Sequence, residues 1–519
     1  MIYQIYPRSF ADANGDGIGD LAGIIERLDH VRGTDTSLGV DAIWLSPIYP
    51  SPLADFGYDV SDYVDVAAEF GTLHDFDRLV EACHARGLRL IMDLVPCHTS
   101  VEHPWFVESR SSRSSAKRDW YMWADPGPDG GPPNNWTCAF GGSAWELDSS
   151  TGQYYHHSFY AEQPDLNWRN AEVTRAMHGV LEFWFERGVD GFRVDAVAHA
   201  IKDELLRDNP PLVRRRPSVS VFGARDKQEP LWNLDRPEVH DVVRGLREVA
   251  DRHGERVLIG EVYAPLERLA SYFGRDDEFQ LAWNFELLHT PWNATEFAVA
   301  IERAEALHPP GVWPSIAFSN HDNQRHGTRW GRERTRVAAL MLLTLRGVPT
   351  IYMGEEIGMV DHRSLPTSVR FDRAGRDAQR TPMQWEPMPS AGFTSGTPWL
   401  PAFDPEVVSV AAQRDDPASL LSLYRRLIAL RRELPALATG TQRSIFGAAP
   451  NVLAWTREGV GVRLLVVANL ADEPRTANVD RVGRAGRVVV GTGARDGEGP
   501  YDLARLELGP REGLVLDVR

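Results

Sequence analysis

Residues 191–195 read Gly191-Phe192-Arg193-Val194-Asp195, a short strand-like run that ends on a carboxylate. The same arrangement recurs along the chain. Val257-Leu258-Ile259-Gly260 ends at Glu261, Ile316-Ala317-Phe318-Ser319 runs into Asn320-His321-Asp322, and Arg89–Val95 leads to His98. Ile2–Tyr6, Ala42–Leu45 and Thr350–Met353 are further short apolar runs. Helical patterns lie between many of them. In Glu172–Arg187, residues Val173, Met177, Val180, Leu181, Trp184 and Phe185 fall on one face, and Gly188 follows as a stop signal. Strand–helix alternation over this length predicts an α/β protein with a parallel sheet, open or closed. Sites in such folds lie at the C-terminal ends of strands. A lone Asp after a strand is as readily a helix N-cap. Polar endings on four strands point instead to a shared site.

The regularity breaks twice. Residues 98–168 lack periodicity and are rich in Gly, Pro, Ser and aromatics, too long for a simple connection, so they read as an inserted subdomain. Residues 355–400 read as a lid or rim. A helix over Leu420–Arg432 leads to Pro435 and Gly440. Beyond Gly440 short strand patterns (Val452–Trp455, Leu464–Asn469, Arg487–Val490, Leu514–Val518) follow one another with Gly and Asp turns, which predicts a small all-β domain.

The composition narrows the chemistry. A formal net charge of -17 argues against nucleic acid, whose phosphates need a basic footprint, and against an anionic membrane surface. A small neutral substrate is compatible with it. The three cysteines, Cys83, Cys97 and Cys138, offer no disulfide framework. Met1–Tyr6 lacks the basic start and apolar run of a signal peptide, and no apolar stretch is long enough to span a bilayer, so a cytoplasmic location is expected. The 16 Trp suit both a large core and a site that stacks sugar rings.

Arg193 and Asp195 stand two apart on a strand, so their side chains point the same way. A guanidinium beside a carboxylate lowers its pKa, which suits a nucleophile that must stay ionised. Glu261, near Asp195 and Asp322, is expected to have its pKa raised by like charges, which suits a general acid. Two carboxyl groups held in two protonation states is the logic of glycoside hydrolysis.

These segments resemble the signature segments of the α-amylase superfamily, glycoside hydrolase family 13. Gly191–Asp195, Ile259-Gly260-Glu261 and Phe318–Asp322 carry three of them. Asp93-Leu94-Val95-Pro96-Cys97-His98 and Gln163-Pro164-Asp165-Leu166-Asn167 resemble two more, and Phe56-Gly57-Tyr58-Asp59 and Gly347–Gly354 also fit. Arg380-Thr381-Pro382-Met383-Gln384-Trp385 narrows the match to the α-glucosidase and oligo-1,6-glucosidase branch.

The resemblance implies a (β/α)8 TIM barrel (residues 1–97 and 169–435), a subdomain inserted after strand 3 (98–168) and a C-terminal β-sandwich (436–519). It implies Asp195 as nucleophile, Glu261 as acid/base and Asp322 as a transition-state stabiliser. Asp59, His98, Arg193, His321 and Arg380 are expected to bind the terminal glucose, with Phe140 a further candidate for the pocket wall. An Asp59–Arg380 pair would close the pocket and make the enzyme exo-acting on short α-glucosides. In this family the residue after the nucleophile tracks linkage. Ala196 leaves room that valine would fill, so α-1,4 preference is expected. Transglucosylases, trehalose synthases and sucrose isomerases share the covalent glucosyl-enzyme and form the nearest alternative. Non-enzymatic transporter heavy chains resemble the fold but lose catalytic residues, whereas all three carboxylates stand here.

No organic cofactor is expected. Asp12-Ala13-Asn14-Gly15-Asp16-Gly17-Ile18-Gly19-Asp20 spaces oxygen donors every second residue, as in the first part of an EF-hand loop, although Gly23 stands where the bidentate Glu would be. Related α-glucosidases hold a structural ion here, so Asp12, Asn14, Asp16, the Ile18 carbonyl and Asp20 are candidate ligands for Ca²⁺ or Mg²⁺. Cys97 departs from the pattern, which usually has Asn before the His. A second ion, which that Asn binds in many amylases, is therefore not expected.

Overall fold

The structure, a computed structural model, describes residues 1–212, 228–309 and 311–518. Eight strands form its centre: Ile2–Ile5, Ala42–Leu45, Arg89–Leu94, Gly191–Val194, Val257–Gly260, Leu281–Asn284, Ser315–Ala317 and Val348–Tyr352. They pair in parallel in chain order, and the eighth closes on the first. The helices that connect them include Leu21–Val31, Leu73–Ala85, Ala171–Glu186, Val239–Arg252, Ala294–Leu307 and Thr335–Thr344.

Both faces of such a strand are covered, so its residues are apolar almost throughout. The two-residue period sorts them. Ile2, Ala42, Trp44, Ile91, Ile259 and Trp283 form one buried cluster inside the barrel. Tyr3, Ile43, Leu45, Leu90, Met92, Phe192, Val194 and Leu258 pack outward under the helices. Toward the C-terminal strand ends the inward positions become polar, with Gln4, Asp93 and Arg193 all buried. Asp93 lies opposite Arg193 in register. The barrel thus has an apolar floor and a charged upper layer.

Seven of the eight strands follow the short apolar runs of the sequence. Leu281–Asn284 does not stand out, because Leu-Ala-Trp-Asn carries no β-branched residue and no alternation. Helix starts are conventional. Thr72 and Asp75 form a capping box, and the Asn170 side chain accepts from Glu172 N.

Between the third and fourth strands lie the helix Pro104–Arg110 and a three-stranded antiparallel sheet, with Gln153–His156 flanked by Trp123–Ala124 and Trp145–Asp148. Buried Asp165 anchors this segment. It accepts from Ser158 and is paired with His156 and with Lys202 in the loop after the fourth strand. Residues 355–400 run as short 3-10 turns and loops along the upper rim.

After the helices Leu420–Glu433 and Pro435–Ala438 the chain becomes antiparallel β. A six-stranded sheet, Thr441–Ser444, Val452–Gly459, Val462–Asn469, Gly513–Asp517, Ala485–Gly491 and Tyr501–Asp502 in spatial order, is joined by the pair Arg475–Ala477 and Leu506–Leu508. Leu453, Trp455, Val466 and Val515 pack into the main core, while Leu465, Val467, Leu514 and Leu516 meet Leu503, Leu506 and Leu508 on the other side. The shorter strands here are too brief for their pattern to register in the sequence. Among the described residues no helix is long and apolar enough to cross a membrane.

Gly191 opens the fourth strand where the neighbouring chain is closest. A Cβ there would sit 2.3 Å from the Val257 carbonyl oxygen, its register partner. Backbone oxygen cannot step aside as a side chain can, so Gly191→Ala is expected to cost about 1–3 kcal/mol and to lower the calorimetric unfolding midpoint. An unchanged midpoint would refute the close approach.

Candidate active site

The charged layer is organised by Arg193, which is fully buried. Its Nη1 donates to Asp93 Oδ1 at 2.8 Å and to Asp195 Oδ1 at 2.6 Å. Its Nη2 lies 2.5 Å from Glu261 Oε1. Strand period places these groups together: Asp93 and Arg193 point inward from the third and fourth strands, and Asp195 and Glu261 follow the fourth and fifth. The indole rings of Trp44 and Trp283 lie 5.5 and 5.6 Å from the guanidinium carbon. One guanidinium therefore touches both carboxyl groups singled out in the sequence, with Asp93 as a third partner.

Burial and charge oppose each other here. Burial pushes Glu261 up to about 8, with Asp195 and Asp322 adding to the rise and Arg193 opposing it. Burial also pushes Asp195 up to about 7, against the pull of Arg193. Arg193 does pull Asp195 down, as the sequence led one to expect, but loss of water outweighs a guanidinium shared among three carboxyl groups, so the net shift is upward. As close neighbours the two carboxyl groups titrate as a pair. Asp93 is likewise raised to about 7 by burial.

Asp322 behaves differently. Burial would raise it, but His321, Arg376 and Arg380 together hold it well below the usual carboxylate range. Its Oδ1 accepts at 3.0 Å from both Arg376 and Arg380. Arg380 also donates to the His321 carbonyl.

The expected Asp59–Arg380 pair is not what joins these segments. Asp59 is buried in its own loop, accepting from Ser51 Oγ, Ala54 N and Asp55 N at 2.8–2.9 Å. The ion pair between the loop and the rim runs from Arg376 Nη2 to Asp55 Oδ1 at 2.5 Å. Arg376 is also held by Asp372. The physical reason is local: a carboxylate that caps three donors of its own turn has no oxygen turned outward, whereas Asp55 does. Asp55 and Arg376 stand four residues before Asp59 and Arg380, just outside the two quoted motifs.

His321 is buried and lies against Tyr58, with ring centroids 5.5 Å apart and planes 8° apart. Its Nε2 is 2.6 Å from Tyr58 Oη and 3.3 Å from Asp322 Oδ2. Tyr58 Oη donates to Asp93 Oδ2 at 3.1 Å, linking the two halves of the site. His98 Nε2 is 3.1 Å from the Tyr58 carbonyl and 3.0 Å from Gln163 Nε2, and burial lowers its pKa. Phe140 stacks on Tyr160 at 4.0 Å and lies 5.8 Å from the Arg376 guanidinium carbon, so it lines the outer wall. Phe159 packs edgewise on His98. Asp93, Tyr58, Asp55, Arg376, Phe159 and Trp44 belong to this neighbourhood without having been singled out as site residues. Strand alternation would have placed Asp93 beside Arg193; no sequence spacing reports the others.

Ala196 turns the chain after Asp195 with φ +43° and ψ +31°, in the left-handed region. This conformation aims its N–H at Glu261 Oε2, 3.1 Å away. Its carbonyl accepts from Cys97 Sγ at 3.1 Å. Burial pushes the Cys97 thiol pKa well up, so it acts as a neutral donor.

The Asp12–Asp20 loop closes on its own backbone. Asp12 accepts from Gly15 N and Gly17 N, Asn14 from Asp16 N, Asp16 from Ile18 N, and Asp20 from Ala13 N, Asn14 N and Gly23 N. Asp20 is also the N-cap of Leu21–Val31. Carbonyl and carboxylate oxygens of this kind are hard donors with further lone pairs, which fits Ca²⁺ or Mg²⁺. Among the described residues no group of three or more His, Cys, Asp and Glu side chains is gathered in a metal-holding cluster.

Comparison with known proteins places this geometry. Residues 4–440 match the family described as alpha amylase, catalytic domain. A probable alpha-glucosidase of Rhizobium meliloti (strain 1021) is 45% identical, the match covering 92% of this chain and 89% of that protein. An oligo-1,6-glucosidase of Heyndrickxia coagulans is 37% identical over 97% of this chain and 98% of its own. Among solved structures, the alpha-glucosyl transfer enzyme XgtA superposes with a TM-score of 0.92 at 40% identity, covering 100% of this chain and 98% of that one. The chain belongs to the alpha-amylase family of glycoside hydrolases.

Proposed function

We propose that the protein is a retaining, exo-acting α-glucosidase that releases terminal glucose from maltose-like oligosaccharides or small α-glucosides. The observation that carries this reading is the shared guanidinium: Asp195 and Glu261 both lie within hydrogen-bond distance of Arg193 at one end of the barrel. Two carboxyl groups so close suit direct attack on the anomeric carbon, without a water between nucleophile and sugar. Asp195 attacks, Glu261 protonates the leaving oxygen, and water activated by Glu261 then cleaves the glucosyl-enzyme. Asp322, ionised under its arginines, stabilises the developing positive charge. His98, His321, Arg193 and Arg380 bind or position the terminal sugar, and the Asp55–Arg376 pair backs the pocket, which supports exo action. The space at Ala196 supports α-1,4 preference. The 40% identity to a solved alpha-glucosyl transfer enzyme supports a second reading, transfer to a sugar hydroxyl.

A panel of maltose, isomaltose, sucrose and maltotriose, with product anomers followed by NMR, tests these points. Maltose is expected to be cleaved faster than isomaltose, with α-glucose appearing first. Initial β-glucose would contradict retention, and a strong isomaltose preference would overturn the linkage assignment. Oligosaccharides built up at high substrate concentration would favour transferase chemistry.

The pH dependence follows from the roles proposed for the two groups, both of which burial raises. Asp195 must be ionised, so kcat/KM falls as pH drops through about 7. Glu261 must hold its proton, so kcat/KM also falls as pH rises through about 8. A narrow bell is expected, and a profile still flat at pH 5 would contradict the assigned roles.

The Asp12–Asp20 loop supports a structural Ca²⁺ or Mg²⁺ held by Asp12, Asn14, Asp16, the Ile18 carbonyl and Asp20. Such an ion at about 100 times its Kd adds about 2.7 kcal/mol of stability. Adding Ca²⁺ or Mg²⁺ to EDTA-treated protein should therefore raise the thermal midpoint, and should not do so in Asp16→Ala. Identical midpoints for the wild type with and without each ion would remove the site.

A further inference from the structure

The inward face of the first barrel strand carries a polar side chain with no part in the chemistry above. Gln4 is fully buried, and its strand is pinned on both sides, with Gln4 opposite Trp44 and Tyr352. Its Nε2 lies 2.8 Å from His321 Nδ1 and 3.4 Å from Ser46 Oγ. The imidazole is fixed in orientation. Tyr58 stacks on it, Tyr6 lies roughly parallel at 6.0 Å, and Trp44 meets it edgewise at 5.8 Å.

Counting protons settles which ring nitrogen carries hydrogen. Burial drives His321 down to about 3, so the ring is neutral and has one N–H. Tyr58 has a single hydroxyl proton, and Asp93 Oδ2 accepts it. Tyr58 can then only accept from His321 Nε2, and Asp322 Oδ2 beside the same nitrogen is also an acceptor. A bare Nε2 would set its lone pair against the Asp322 carboxylate and compete for the proton held by Asp93. Nε2 therefore carries the hydrogen, and bare Nδ1 needs a donor, which the Gln4 amide supplies. The charges around the ring, Asp322, Arg380, Arg193 and Arg376, do not reach Nδ1 in any hydrogen bond the structure shows.

We infer that Gln4 is a positioning residue: its side-chain amide locks His321 as the Nε2–H tautomer, with that N–H given to Tyr58 Oη beside Asp322. This rests on the α-glucosidase reading only for its effect on catalysis; the tautomer is a property of the folded protein.

The test uses the full-length protein labelled with ¹⁵N-histidine, the His321 signals being identified by their loss in His321→Asn. In the wild type Nε2 is expected to be protonated and Nδ1 bare. Gln4→Met removes the donor while keeping the shape and should let the proton move to Nδ1. With p-nitrophenyl α-glucoside, Gln4→Met should lower kcat/KM about 10- to 100-fold, mainly through KM, because His321 meets the sugar before and during reaction. A wild-type proton on Nδ1 would overturn the inference. So would Gln4→Met with both tautomer and KM unchanged. A wild type that does not hydrolyse the glucoside yet shows Nε2–H would sink the glucosidase reading and leave tautomer control standing.

Discussion

A guanidinium sealed from water must be answered by charge, and the upper barrel is built around that requirement. Arg193 has no exposed surface and meets Asp93, Asp195 and Glu261 through its two terminal nitrogens. Only a planar fork reaches several carboxyl groups at once; a lysine ammonium in its place would be a single point. Removing one partner of such a buried group typically costs about 3–5 kcal/mol, because the remaining charge is left unanswered. The same sharing explains the acidities. Three carboxyl groups divide one positive charge, so burial prevails at each of them. Asp322, with Arg376 and Arg380 both on one oxygen, falls on the other side of that balance.

Around this centre the remaining contacts connect separate stretches of chain. Arg376 ties the rim to the loop after the second strand through Asp55 and to the seventh strand through Asp322. Asp165 ties the inserted segment to the loop after the fourth strand through Lys202. Tyr58 joins His321 to Asp93. Each pocket wall is thus braced by a buried polar contact to another strand end, which suits a site that must hold its groups still.

Much of this was readable before the fold was known, and the limits have physical causes. The strand that ends at Asp195 declares itself by apolar content, and alternation alone puts Arg193 and Asp195 on one face. The sixth strand, Leu281–Asn284, is hidden because its four residues have no β-branched signature. The ion pair between these segments falls on Asp55 and Arg376, four residues before Asp59 and Arg380, because spacing cannot tell a carboxylate that caps its own turn from one that reaches across. Gln4 gives no sign either: a single amide in an apolar run acquires meaning only when His321, more than three hundred residues away, is folded against it. The net acidity of Asp195 is hidden for a related reason, since a sequence shows the neighbouring charge but not the missing solvent.

The turn at Ala196 joins two of the buried carboxyl groups. Its peptide nitrogen holds the Glu261 carboxyl while the residue directly follows Asp195 in the chain, so a single backbone conformation serves both. A bulkier, β-branched residue is disfavoured in that left-handed conformation. Any evolutionary or engineered change there is therefore felt twice: once in the path of the chain as it leaves Asp195, and again as a re-aimed Glu261.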